Sequence, residues 1–266
     1  MSEPRVLVIT GLGLNCEVET ETAFTRAGGR PERVHLLDLL QADSGKRIAD
    51  YPILAFVGGF SFGDHLGAGS VFANKIRWRL YDDLLAFVER GGLVLGVCNG
   101  FQTMVRLGLL PGLDGDYRTP RVALVPNDRP GYRDAWVRLR FDPASPCVWT
   151  RGLDTMELPS RHGEGKFVAS PEVRRRLENE RLVAARYVGP DGEPTETWPH
   201  NPNGSEGAVA GVCDPSGRIF GLMPHPDAYL EPFHHPRWTR ARLSGPLPDE
   251  GEGMRIFRNG VAAAAH

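Results

Sequence analysis

Three short, continuously apolar runs, RVLVIT at 5–10, ILAFVGG at 53–59 and LVLGVC at 93–98, are separated by stretches of helical spacing. This rhythm narrows the fold more than any other feature, because a strand that is apolar without alternation buries both faces. The first run is followed by Gly11 and Gly13 and then by a predicted helix over 17–28 that stops at Gly28. RVHLLDLL at 33–40 reads as a further strand, and a helix is predicted over 74–90, ended by Gly91-Gly92. Buried strands joined by helices specify a parallel sheet covered on both faces, the doubly wound α/β class.

Beyond Pro111 the pattern changes to VALVPND (122–128), AWVRLRFD (135–142), LVAARYV (182–188), GAVAGVCD (207–214) and IFGLMPHP (219–226), with a helix only over 171–180. Strands in succession predict an antiparallel extension of the first sheet. No Gly, Ser or Pro-rich linker divides the chain, so residues 1–266 are expected to form one domain. A loop at 228–253, rich in Pro, His and Gly, precedes a final helix from Met254.

Of the 266 residues, 41% are hydrophobic and 24% charged, which excludes a disordered chain. A formal net charge of −2 gives no whole-chain attraction to nucleic acid or to an anionic membrane, so neither is an expected partner. The N-terminus lacks a leader layout and no apolar run approaches a membrane span. Cys16, Cys98, Cys147 and Cys213 show neither a CxxC pair nor a metal-ligand spacing, which favours reduced thiols in a cytoplasm and no bound metal.

Chemistry concentrates around LVLGVCNGFQ, where Cys98 lies between a buried strand and a helix and is flanked by Gly96 and Gly100. A sharp strand-to-helix turn presents such a residue at the sheet edge, as in a nucleophile elbow. The helix N-terminus favours an anionic sulfur and offers the Asn99 N–H to a developing oxyanion. A buried structural cysteine before a helix fits the same pattern. A second glycine cluster, VGGFSFGDHLGAG at 57–69, follows another strand and can supply a further oxyanion N–H, although a simple turn or a phosphate loop fits it too. In GLMPHPDAY, His225 and Asp227 are two apart, so in extended backbone the carboxylate can orient the imidazole toward the thiol. The pair His234-His235 has no sequence pattern of a closed metal site.

The segments GVCNGFQ (96–102), GGFSFGD (58–64), HGEGKF (162–167), NPNGS (201–205) and MPHPD (223–227), in this order, resemble the glutaminase subunit of phosphoribosylformylglycinamidine synthase. The resemblance implies a flavodoxin-like class I glutamine amidotransferase fold. It implies Cys98 as nucleophile, His225 as acid and base and Asp227 as the third triad member. It further implies an oxyanion hole at Gly59 and Asn99, and a glutamine pocket lined by Gln102, Phe60, His162 and Gly163. The family normally carries Glu where this chain has Asp227, a side chain shorter by one methylene, about 1.5 Å of reach. Glu231 and Glu164 are then alternative orienting groups, and a reduced but real activity is expected.

The implied partners are L-glutamine, a synthetase subunit that binds ATP and magnesium, and a small accessory subunit, with no cofactor on this chain. Trp238, Arg237, Arg240 and Arg242 give the 228–253 loop an interface-like composition. A non-catalytic scaffold subunit and another cysteine hydrolase of the same fold are the competing readings.

Overall fold

The computed structural model describes residues 3–41 and 43–265, so the first two residues of the N-terminal segment lie outside it. The first half comprises β1 (Arg5–Thr10), α1 (Glu17–Arg26), β2 (Arg30–His35), the one-turn α2 (Leu36–Leu39), β3 (Ile53–Phe56), α3 (Ser70–Arg79), α4 (Tyr81–Glu89), β4 (Leu93–Val97) and α5 (Asn99–Leu107). The second comprises β5 (Val122–Pro126), β6 (Arg133–Phe141), β7 (Thr155–His162), β8 (Glu164–Ala169), α6 (Pro171–Asn179), β9 (Ala185–Tyr187), β10 (Val209–Cys213), β11 (Ile219–Leu222), α7 (Trp238–Ser244) and α8 (Met254–Ala264).

Nine strands form one sheet in the order β2-β1-β3-β4-β11-β10-β9-β6-β7. The five from β2 to β11 are parallel; the inner four are buried nearly throughout, as their continuous apolar runs predict, while β2 at the edge is partly exposed along most of its length. From β11 onward every pairing is antiparallel, which is the anticipated extension. β4 is an interior strand of the parallel block, between β3 and β11, and α5, which follows it directly, packs across β3, β4 and β11. The last helix, α8, closes one face by setting Phe257 edge-on to Phe24 of α1, with ring centroids 5.0 Å apart.

Several expectations are corrected. The 33–40 strand starts earlier and ends at His35, whose ring accepts a hydrogen bond from Leu37 N (3.1 Å) and so caps α2. The 74–90 helix is two helices divided at Leu80. Arg77 and Arg79 in the last turn of α3, followed by Asp82 and Asp83 in the first turn of α4, suit an end and a start respectively.

VALVP does not join the main sheet. It pairs as β5 with β8 in a separate two-stranded ribbon laid against α5, consistent with its burial on alternate residues. β7 and β8 were not anticipated, and the 182–188 strand is confined to Ala185–Tyr187. The 228–253 loop contains α7, a helix with no buried residue.

Candidate functional site

The turn from β4 into α5 is tight enough that a Cβ on Gly100 would lie 1.9 Å from the Phe56 carbonyl oxygen of β3. Only glycine can occupy that place, and the residue it lets through is Cys98, at φ 51° and ψ −109° in the positive-φ half of the backbone map. The thiol is buried and directs its S–H at the carbonyl of Arg161 in β7, 3.6 Å away. Asn99 opens α5, so its N–H has no acceptor within the helix.

The GGFSFGD loop reaches the same place. Asn15 N donates to Gly58 O (3.3 Å) and Phe60 N donates to Gly13 O (2.8 Å), a bridge that leaves the Gly59 N–H outside it. The Asn99 side chain ties the loop down by donating to Asp64 Oδ1 at 3.0 Å. Burial raises the Asp64 pKa, partly offset by that bond and by the Gly69 N–H.

His225 leaves the end of β11 and is fixed by its own N–H, which donates to Pro159 O at 2.7 Å. β7 therefore touches both Cys98 and His225, although four strands separate it from β4 in the sheet order. Coiling of the sheet returns this edge to its centre. His225 Nδ1 lies 3.2 Å from Asp227 Oδ1, and both side chains are buried. The oxygen sits beside the ring N–H rather than on its axis, since Oδ1 has no aligned hydrogen bond. Burial alone would lower the His225 pKa, but the negative charges of Asp227 and Cys98 outweigh it and hold the ring well above the ordinary range. The pair is suited to keeping an imidazolium beside a sulfur anion.

Glu231 and Glu164 do not substitute for Asp227. Glu231 pairs with Arg26, while Glu164 accepts from Ala68 N at 3.2 Å and faces Arg106 at 3.7 Å. His235 is paired with Glu157 at 2.8 Å and packs on Trp136.

The pocket residues divide. Gln102 is buried and clamps the HGEG hairpin by donating to Glu164 O at 2.6 Å, while its Oε1 accepts from Asn99 Nδ2 at 3.3 Å. Phe60 is exposed and tilts against Tyr132, with centroids 5.9 Å apart. Gly163 turns the chain from β7 to β8 with open space where a side chain would start.

His162 departs from the expected role. Its Nε2 is 2.9 Å from Ser160 Oγ and its Nδ1 is 3.2 Å from Asn127 Oδ1, so neither ring nitrogen is left for a substrate. The NPNGS segment completes this network: Asn203 Nδ2 donates to Gly165 O (2.9 Å) and to Tyr187 Oη (3.1 Å), and Ser205 Oγ donates to Asn203 Oδ1 (2.7 Å). Two of the motifs thus interlock to hold the hairpin whose backbone meets Cys98 and Gln102. Burial, helped by the positive charge of His225, pushes the His162 pKa down to about 3.

Two further residues belong here that sequence reasoning did not assign. Tyr132 has its pKa raised by burial and then by the charge on Cys98. Cys16, just before α1, brings its sulfur 4.0 Å from His225 Nδ1. Its position in the loop after β1, at the carboxyl edge of a parallel sheet, was a usable signal.

An elbow thiol, a buried His-Asp pair and the N–H groups of Gly59 and Asn99, which have no acceptor among the described residues, are the parts an amidase needs. The comparison with known proteins agrees, because residues 3–262 match the CobB/CobQ-like glutamine amidotransferase domain. The chain belongs to that amidotransferase family. Within it, the phosphoribosylformylglycinamidine synthase subunit PurQ of Dehalococcoides mccartyi is 42% identical over 98% of this chain and 98% of its own length. PurQ of Methanococcus maripaludis strain S2 is 41% identical over 97% and 96%. Among solved structures, a chain of the PurLQS structure from Thermotoga maritima superimposes with a TM-score of 0.72 at 26% identity, covering 98% of this amidotransferase and 99% of that chain. A Thermotoga maritima glutamine amidotransferase at 14% identity, TM-score 0.52, covers 92% and 84% and shares the fold.

Proposed function

We propose that this chain is the glutaminase subunit of phosphoribosylformylglycinamidine synthase. In this reading it hydrolyses L-glutamine through a thioester on Cys98 and passes ammonia to a synthetase subunit that converts formylglycinamide ribonucleotide to its amidine in purine biosynthesis. The observation that carries it is the Cys98 thiol on the elbow with the His225–Asp227 pair beside the same β7 edge, in a chain 42% identical to a PurQ subunit along almost its whole length.

The sulfur anion of Cys98 attacks the side-chain amide carbon of glutamine. Charge collects on the carbonyl oxygen, where the N–H groups of Gly59 and Asn99 stabilise it. The His225 imidazolium gives its proton to the departing ammonia, then as neutral imidazole takes one from water, which splits the thioester and releases glutamate. Asp227 holds the ring and favours its charged form. Gln102 and the backbone of the HGEG hairpin shape the pocket, with Phe60 and Tyr132 beside it. ATP and magnesium belong in this reading to the synthetase subunit, and the complex, completed by a small accessory subunit, works in the cytoplasm.

The test is glutamate release by this chain, alone and with the cognate synthetase subunit, ATP, magnesium and formylglycinamide ribonucleotide. Turnover stimulated by the partner and abolished by Cys98→Ala is expected. Equal inertness of wild type and Cys98→Ala in the assembled complex would overturn the reading in favour of a scaffold subunit.

A further inference from the structure

We propose that Cys16, His225 and Asp227 together form a binding site for a thiophilic divalent cation of the zinc type, and that filling it switches the glutaminase off. Cys16 and His225 are 209 residues apart in sequence, so the juxtaposition is made by the fold, where the β1–α1 loop meets the end of β11. One sulfur, one imidazole nitrogen and one carboxylate oxygen lie within 4.8 Å of one another. Tetrahedral zinc, with bonds of about 2.0–2.3 Å, spaces such atoms by about 3.3–3.6 Å. The separations here are 4.0 Å from Sγ to Nδ1, 3.2 Å from Nδ1 to Oδ1 and at most 4.8 Å from the sulfur to the carboxylate oxygen, so side-chain adjustments of about 1 Å complete the set.

Three details favour a cation over simple packing. Asp227 Oδ1 is a buried carboxylate oxygen without an aligned donor, an atom whose negative charge has no full partner. The Cys16 thiol has long contacts to give up, with Asn15 Oδ1 at 3.5 Å and with His225 Nδ1 itself at 4.0 Å. Gly58 keeps the space clear, since a Cβ there would stand 2.7 Å from the His225 ring and 3.1 Å from Cys16 Sγ. Cys16 is half-buried and so gives an approach from solvent, while the other two ligands are enclosed.

On binding, Cys16 loses its S–H proton and His225 its Nδ1 proton to the buffer, and bonds form from the metal to sulfur, nitrogen and oxygen with no change of oxidation state. A metal on Nδ1 leaves the remaining ring proton on Nε2. His225 then can neither accept a proton nor exist as the imidazolium, and Asp227 is drawn from the ring to the metal. The fourth position goes to water. The loss of activity rests on the glutaminase reading; the binding does not.

The full chain carrying Cys98→Ala, which removes the elbow thiol as a ligand, is titrated with Co²⁺ and followed by absorption. A sulfur-to-cobalt charge-transfer band with tetrahedral visible bands is expected, displaced by Zn²⁺ and absent after Cys16→Ser or Cys16→Ala in the same background. The buried thiols Cys147 and Cys213 remain in all of these variants as internal controls. In the assembled complex, a Zn²⁺ concentration that lowers wild-type glutaminase tenfold, reversibly with chelator, is expected to lower the Cys16→Ser rate less than twofold relative to its own metal-free rate. Absence of the cobalt band, its persistence without Cys16, or equal zinc sensitivity of both enzymes would overturn the proposal. A cobalt band in a chain whose metal-free wild type lacks glutaminase activity would support the site while refuting the glutaminase reading.

Discussion

His162 offers the sharpest test of how the hairpin is held. Its pKa is about 3 in the folded chain, against an ordinary value of 6.5. Below pH 6.5 the unfolded chain takes up a proton on this residue and the folded chain does not, so stability falls as pH falls toward 3. Each pH unit within that window costs about 1.4 kcal/mol, and acidification from pH 7.5 to 5.0 costs about 2 kcal/mol from this residue. Other groups titrate over the same range, and the raised pKa of His225 acts in the opposite sense because its contribution is fully present at low pH. The comparison is therefore between wild type and His162→Gln, each unfolded in urea at both pH values. The wild type is expected to lose about 2 kcal/mol more than the variant on acidification, even though the variant starts lower at pH 7.5. Equal losses in the two proteins would refute a buried, neutral His162.

Three further outcomes follow from the geometry. Gly100→Ala pushes a methyl against the Phe56 carbonyl at 1.9 Å and is expected to cost at least about 1–3 kcal/mol in urea unfolding, with loss of glutamate release. Asp227→Asn removes the charge that raises the His225 pKa. Its kcat is expected to fall on the order of 10- to 100-fold, and the alkaline limb of its kcat/KM profile to move to lower pH, because the imidazolium is lost earlier as pH rises. Asn203→Ala strips donors from Gly165 O and Tyr187 Oη and is expected to lower unfolding stability by about 1–3 kcal/mol, read from the urea midpoint.

The elbow was readable because its signature is local: an apolar run, a cysteine between glycines and a helix within a few residues of one another. The nearness of His225 and Asp227 was readable from their spacing, but not its cause: Pro226–Ala228 form a 3-10 turn rather than extended backbone, and that turn sets the carboxylate beside the ring. The parallel order of β1, β3 and β4 came from hydrophobic continuity alone. β7 escaped because TMELPSRH carries Pro159 and charged residues, which suit an edge strand and blunt its pattern. Cys16 escaped because its partners lie more than two hundred positions away, a proximity that no periodicity encodes. His162 was placed in the right neighbourhood by its motif, but only coordinates separate a ring that faces a substrate from one spent on Ser160 and Asn127. The break at Leu80 was legible after all in the charges on either side of it, which helical periodicity overlooked.

The backbone at Cys98 has a consequence for how such a chain changes over generations. A side chain at φ 51° and ψ −109° occupies a region that glycine enters freely, at a cost of order 1–3 kcal/mol for any other residue. Backbone strain at this position therefore works against a side chain and would be relieved by glycine. Relief of that strain favours glycine at position 98, and in the proposed glutaminase the chemistry of the thiol opposes that drift. In a lineage that kept the complex but drew its ammonia from elsewhere, position 98 is where the record of that change would be written first.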